Sequence, residues 1–202
     1  VQVLAATAAD VPSQTQIDAQ GRQQLAPLMA ELEGLKARRD SGLAISSEPG
    51  PNGTTIWQVG AGGQGIDRFV ELFDFLAKDV TIAEGDTVVW SSPAFHNGTF
   101  HPGRDAPEAV LPTPQEQAPP QLRLNLEVFF PSKPTGEFDG TGFFSAGVIG
   151  PDTRSGATSF SMTFSKAGSY DYMCAIHAVL GMKGSIPVTA PWPAARRPPA
   201  RQ

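Results

Sequence analysis

Two periodicities divide the chain. Between residues 25 and 39 the apolar positions Leu25, Leu28, Met29, Leu32 and Leu35 recur at helical spacing, with Glu31, Glu33, Lys36, Arg38 and Arg39 between them. This spacing predicts a helix from about Leu25 to Arg39. Pro27 would sit in its first turn, a shorter helical piece would lie near Thr15–Gln24, and Ser41-Gly42 would end it. Ser46–Gly53 reads as a linker by its Ser, Pro and Gly content. After Gly65 the pattern changes to short β-rich runs. Val70–Leu76, Val80–Ile82, Thr87–Trp90, Leu122–Val128, Ser159–Phe164, Tyr170–Cys174 and Ser185–Thr189 are separated by turns such as Gly85-Asp86 and Ala167-Gly168. The clearest alternation is Leu122, Leu124, Leu126 and Val128 against Arg123, Asn125 and Glu127. Several short strands divided in this way predict an all-β, two-sheet sandwich with a helical N-terminal extension.

Composition narrows the picture. Gly 21 and Pro 19 in 202 residues favour short elements and long loops over a helical bundle. A hydrophobic content of 40% is enough for a core, and no apolar run is long enough to span a membrane. The formal net charge of −5 argues against nucleic acid as a partner, because phosphate binding needs a basic face. The single cysteine, Cys174, excludes an intrachain disulfide. The Gly-rich run Gly60–Gly65 lacks the strand–helix context of a phosphate loop. The tail 191–202, rich in Pro and Arg, cannot build a packed core.

The candidate chemistry lies near the C-terminus. Within nine residues, Cys174, His177 and Met182 bring a thiolate, an imidazole and a thioether, and Gly181 lets their loop turn back. Soft sulfur ligands with imidazole suit copper, and two His, one Cys and a weak axial Met mark a blue-copper electron-transfer site. The second histidine has to come from His96 or His101, because the chain has three in all.

The spacing Cys-x2-His-x4-Met, between a Tyr-rich strand and a Gly-Met-x-Gly segment, resembles the cupredoxins, the type 1 blue copper proteins, and within them the plastocyanin-like branch. Glu84-Gly85-Asp86-Thr87-Val88-Val89-Trp90 followed by His96-Asn97 resembles the same branch. The resemblance implies a Greek-key cupredoxin β-sandwich over about 51–190, with residues 1–50 an N-terminal helical extension and linker and a long inserted loop and strand region at about 103–150. It implies one type 1 copper held by His96, Cys174, His177 and Met182, with Asn97 and Ala175 supporting the ligands from behind. Electrons would enter through the edge of His177, beside a docking patch of Ala178, Val179 and Leu180. The chain departs from the branch at Phe95, Met173 and Ile176, where plastocyanins carry Pro, Tyr and Pro.

These implications predict a carrier, not an enzyme, that passes single electrons between Cu(I) and Cu(II) states. Its donor and acceptor would be redox proteins, a cytochrome or a membrane redox complex. The expected setting is extracytoplasmic, periplasmic or secreted, with a signal segment removed. A multicopper oxidase or nitrite reductase needs more histidines than three. The competing expectation is a cupredoxin-fold docking subunit of a larger redox complex, with self-association through residues 1–50. Asp67, Glu71, Asp74, Asp79, Glu84 and Asp86 form an acidic stretch that reads either as a flank steering a basic partner or as an ordinary solvated face.

Overall fold

The computed structural model describes residues 11–41, 45–66, 68–113, 121–132, 136–153 and 156–191. In chain order these hold α1 (Gln14–Asp40), β1 (Ser46–Pro49), β2 (Thr55–Gln64), β3 (Glu71–Leu76), β4 (Ile82–Ala83), β5 (Thr87–Ser91) and β6 (Thr99–Phe100). There follow β7 (Val110–Pro112), β8 (Leu122–Leu124), α2 (Leu126–Phe129), β9 (Gly136–Phe138), β10 (Phe144–Ser145), β11 (Ser159–Phe164), β12 (Gly168–Met173) and β13 (Lys183–Thr189). One sheet runs β1-β2-β5-β11-β9, with β3 added on β2; the other runs β10-β6-β12-β13-β4. The two sheets stay open and pack face to face. Trp90, Phe75, Phe100, Phe164 and Tyr172 are fully buried between them, and Phe100 stacks on Tyr172 at 5.4 Å. Burying a side chain of this size contributes about 1.5–3 kcal/mol, so the aromatic layer dominates the core.

The Gly85-Asp86 turn pins one end of the sandwich. Gly85 takes φ 89°, which glycine adopts without steric cost. The buried Asp86 carboxylate accepts from Thr55 N–H at 2.7 Å, Ala83 N–H at 3.0 Å and Trp57 Nε1–H at 3.1 Å. A buried charge satisfied three times over fixes the positions of β2, β4 and β5 relative to one another.

Several local expectations change. The helix is one element of 27 residues, started by a capping box in which Ser13 and Gln16 bond reciprocally. Pro27 therefore lies inside it, on a helix without a single fully buried residue. Ser46–Pro49 is no linker but the edge strand β1, paired antiparallel with β2 from Ser46↔Gln58 to Pro49↔Thr55. The alternating run at 122–128 is only half a strand. β8 pairs with β7 alone, and Asn125 then caps α2 by accepting from Glu127 N–H. The alternation misled because Leu122, Leu124 and Leu126 are exposed and only Val128 is buried. The insertion is also partly absorbed: β9 pairs with β11 and β10 with β6. The tail from residue 192 and the loop 114–120 lie outside the described residues.

Candidate metal centre

The first loop of the site follows β5. His96 is held by reciprocal backbone bonds with Ile149: His96 N–H donates to Ile149 O at 3.1 Å, and Ile149 N–H donates to His96 O at 2.8 Å. The second loop follows β12. Cys174 N–H donates to Met182 O at 3.0 Å, His177 N–H to Cys174 O at 3.0 Å and Leu180 N–H to His177 O at 2.9 Å. A 3-10 turn at Ala178–Leu180 ends in Gly181 with φ 90°, which returns the chain to β13. Local hydrogen bonds thus give this loop most of its shape.

The two loops converge on one point. His96 Nδ1 is 3.8 Å from Cys174 Sγ, His177 Nδ1 is 3.5 Å from the same sulfur, and the two nitrogens are 3.0 Å apart. All three donor atoms lie within 4.8 Å of one another. His96 and Cys174 are fully buried, and His177 is partly exposed. Met182 is fully buried in the same core cluster as Cys174. His101 stands apart, its Nδ1 2.9 Å from Arg104 O in an exposed turn.

Asn97 ties the loops together. Its backbone N–H points at Cys174 Sγ at 3.4 Å, its Oδ1 accepts from Ala175 N–H at 2.8 Å, and its Nδ2 donates to Val128 O at 3.1 Å. The last bond connects α2, in the inserted region, to the site. Val128, Met173 and Ala175 form a small core cluster there.

Electrostatics keep the donors neutral at pH 7. Burial, and secondarily the neighbouring His177 ring, push His96 down to about 4. Burial also lowers His177 and raises the Cys174 thiol. Neutral imidazoles can bind a metal at once, while the thiol gives up its proton on metal binding. The three donor atoms lie 3.0–3.8 Å apart, so His96, Cys174 and His177 could all reach one first-row cation. Two imidazoles and one thiol, with the thioether of Met182 buried in the same core cluster as the thiol, select a soft or borderline metal and suit copper above all. One type 1 copper is the cofactor that fits.

Sequence reasoning missed the β2–β3 hairpin that covers His96. Gly62 has φ 82° at a register shift between Ala61 and Gly63, and a Cβ there would collide with His96 Nε2. Glu71 Oε1 is 2.9 Å from the same nitrogen. Phe73 packs against both rings, with centroids 4.6 Å from His177 and 6.1 Å from His96. The signal that could have found it is the glycine run, since glycine inside a strand often marks a close approach of something else. The acidic stretch is likewise structural in the main. Asp74 pairs with Arg39, Asp79 accepts from Ser185 N–H, Glu84 from Ala167 N–H, and Asp86 is the buried acceptor above. Asp67 is outside the described residues.

Fold and site together give an open two-sheet β-sandwich with a His-Cys-His cluster of metal-ligand type at one end. Residues 148–189 match the family of copper binding proteins of the plastocyanin/azurin type, which bears out the resemblance read in the sequence. No curated relative matches the chain. Among solved structures it is similar to oxidised plastocyanin from Dryopteris crassirhizoma, at 20% identity over 65% of this chain and 99% of that one, TM-score 0.38. It is similar to auracyanin from the photosynthetic bacterium Roseiflexus castenholzii, at 21% identity over 66% and 95%, TM-score 0.39. It is also similar to a Cu(I) amicyanin variant, at 18% identity over 66% and 82%, TM-score 0.38.

Proposed function

We propose that this protein is a blue-copper electron carrier in which His96, Cys174, His177 and Met182 hold the metal. The observation that carries the reading is the convergence of two imidazole nitrogens and one thiol sulfur from separate loops, all within 4.8 Å. Copper bound here supplies a one-electron Cu(I)/Cu(II) couple. The chain's own residues keep the ligand positions constant through that change. Asn97 crosslinks the loops, and its N–H at the Cys174 sulfur stabilises the thiolate. Little then moves when charge moves, which favours fast transfer.

His177 is the ligand that meets the surface, and the reading makes its edge the electron port. Val179 is 93% exposed and Leu180 58% exposed beside it. They form a small apolar patch suited to brief contact with donor and acceptor redox proteins. An extracytoplasmic setting, periplasmic or secreted, belongs to the same reading. Among the described residues no helix is long and apolar enough to cross a membrane.

The test is an absorption and EPR spectrum of the full chain after Cu(II) addition, repeated on Cys174→Ala. The expected result is an intense blue thiolate-to-copper band with narrow hyperfine splitting, reduced reversibly by a small reductant and absent from the variant. A colourless wild-type protein, or a bound copper that no reductant reaches, would overturn the reading.

A further inference from the structure

The inward face of β3 carries a residue that the fold does not require. A register irregularity interrupts the alternation of β3 between Leu72 and Phe75, and the contacts show which side chains turn inward. Phe75 is fully buried in the core, and Phe73 packs on both site histidines. A carboxylate among these inward side chains is unexpected in an apolar environment. Its side chain is 28% exposed, and its Oε1 is 2.9 Å from His96 Nε2.

His96 Nε2 is itself exceptional. It is buried and has no hydrogen-bond partner aligned with its N–H among the described residues. The Glu71 oxygen is within hydrogen-bond distance but off the N–H axis, so reorientation of the Glu71 side chain would complete the bond. The backbone makes room for this contact. Glycine at position 62 leaves the space beside Nε2 free of a side chain, and the register beyond the irregularity sets Gln64 opposite Glu71. Gly62 and Glu71 come from adjacent strands of one hairpin, and both meet the same ring nitrogen.

We infer that Glu71 is a positioning residue of the metal centre: its carboxylate takes the Nε2 proton side of His96, fixing the tautomer that presents Nδ1 to the metal and making that nitrogen a stronger donor. The inference rests on the copper reading above. A histidine ligand backed by a carboxylate is more electron-rich, which favours the more highly charged metal state. Glu71 therefore biases the centre toward Cu(II). Its place on an edge strand also suits a purely structural role, since inward-pointing charges discourage edge-to-edge pairing. The two roles have different consequences.

The experiment compares copper-loaded full-length wild type, Glu71→Gln and Glu71→Ala in redox equilibrium with a reference couple, together with proton NMR of the Cu(I) forms. Glu71→Gln is isosteric and keeps an acceptor, so it isolates the charge and remains informative if Glu71→Ala folds poorly. The expected result is an oxidised-to-reduced ratio about tenfold lower in Glu71→Gln, equivalent to about 59 mV for one electron. Glu71→Ala should shift further in the same direction, with Cu(II) affinity about 10–100-fold weaker. A slowly exchanging His96 Nε2–H resonance should be present in wild type and move in both variants. A blue wild type whose variants stay within about twofold in redox equilibrium and keep that resonance unmoved would overturn the inference. So would variants that self-associate at unchanged potential, the mark of an edge-protecting role. A wild type with no blue band would instead overturn the copper reading, and this inference with it.

Discussion

His96 and His177 present the same nitrogen to the same point, but from opposite circumstances. His177 stands in a short loop whose own backbone bonds shape it, and its ring reaches the surface beside Val179 and Leu180. His96 is fully buried under a hairpin some 25–35 positions upstream in the chain, with Gly62, Glu71 and Phe73 against its ring. One ring is open to the surface and the other is enclosed. On the proposed function, contact would fall to the ring that is locally built and tuning to the ring that is remotely supported.

The sharpest way to break this comparison uses one glycine from each side. Gly62 and Gly181 both have positive φ, 82° and 90°. A Cβ at Gly181 meets nothing within 4 Å, whereas one at Gly62 meets the His96 ring. Gly181→Ala should cost about 1–2 kcal/mol in chemical denaturation, the backbone penalty alone, and keep the blue spectrum. Gly62→Ala carries the same penalty plus a collision, roughly 2–5 kcal/mol in total, and should lose the type 1 spectrum. Equal behaviour of the two variants would show that the cover over His96 gives way easily.

Acid stability of the metal-free protein gives a smaller effect. His96 titrates near 4 when folded, against an ordinary 6.5 when unfolded. Below 6.5 the unfolded chain takes up a proton that the folded chain refuses. The stability is therefore full above pH 6.5 and is lost as the pH falls toward 4, by an amount on the order of 2 kcal/mol. The Glu71 carboxyl, raised by burial above its ordinary 4.5, acts in the opposite sense within the same window and offsets part of the loss. Denaturation midpoints measured between pH 7 and 4 should show the loss, and His177→Gln should retain most of it. Its disappearance in that variant would assign the acid response to the exposed ring instead.

The smallest effect concerns docking. Ile66 and Phe69 are 93% and 81% exposed at the tip of the covering hairpin, much as Val179 and Leu180 are at the port. Val179→Asp or Leu180→Asp should leave the spectrum unchanged and slow electron exchange with a small redox protein by up to about tenfold in stopped flow. Phe69→Asp should change neither. A comparable slowing from Phe69→Asp would move the port to the hairpin.

What the sequence disclosed follows from how local each feature is. The Cys174–Met182 loop was readable because its ligands and its turn lie within nine residues. His96 was readable with more effort, from the Gly-Asp-Thr turn ahead of it. Glu71 and Gly62 were not, because their role exists only once β2 pairs parallel with β5 and carries β3 alongside. The inserted run at 122–128 failed for another reason: its leucines alternate without any core to face, so the pattern described an exposed hairpin and a capped turn. In α1 the apolar stripe was real, but the capping box at Ser13 set the start well upstream of it.

The helix α1 lies on the outside of this arrangement, and its attachment is slight. Glu31 accepts from Ile66 N–H at 2.6 Å, Arg39 pairs with Asp74 at 3.1 Å, and Leu35 approaches the Gly63 backbone. Such contacts are worth about a kcal/mol each, far less than a core layer. In the time domain, α1 is therefore a fast-opening unit on a slow one. Its amides, followed by hydrogen exchange, should trade protons for deuterons long before those of β5 and β11. Each such opening bares the outer surface around Gly63 to Ile66, in the same hairpin whose Gly62 lies against His96.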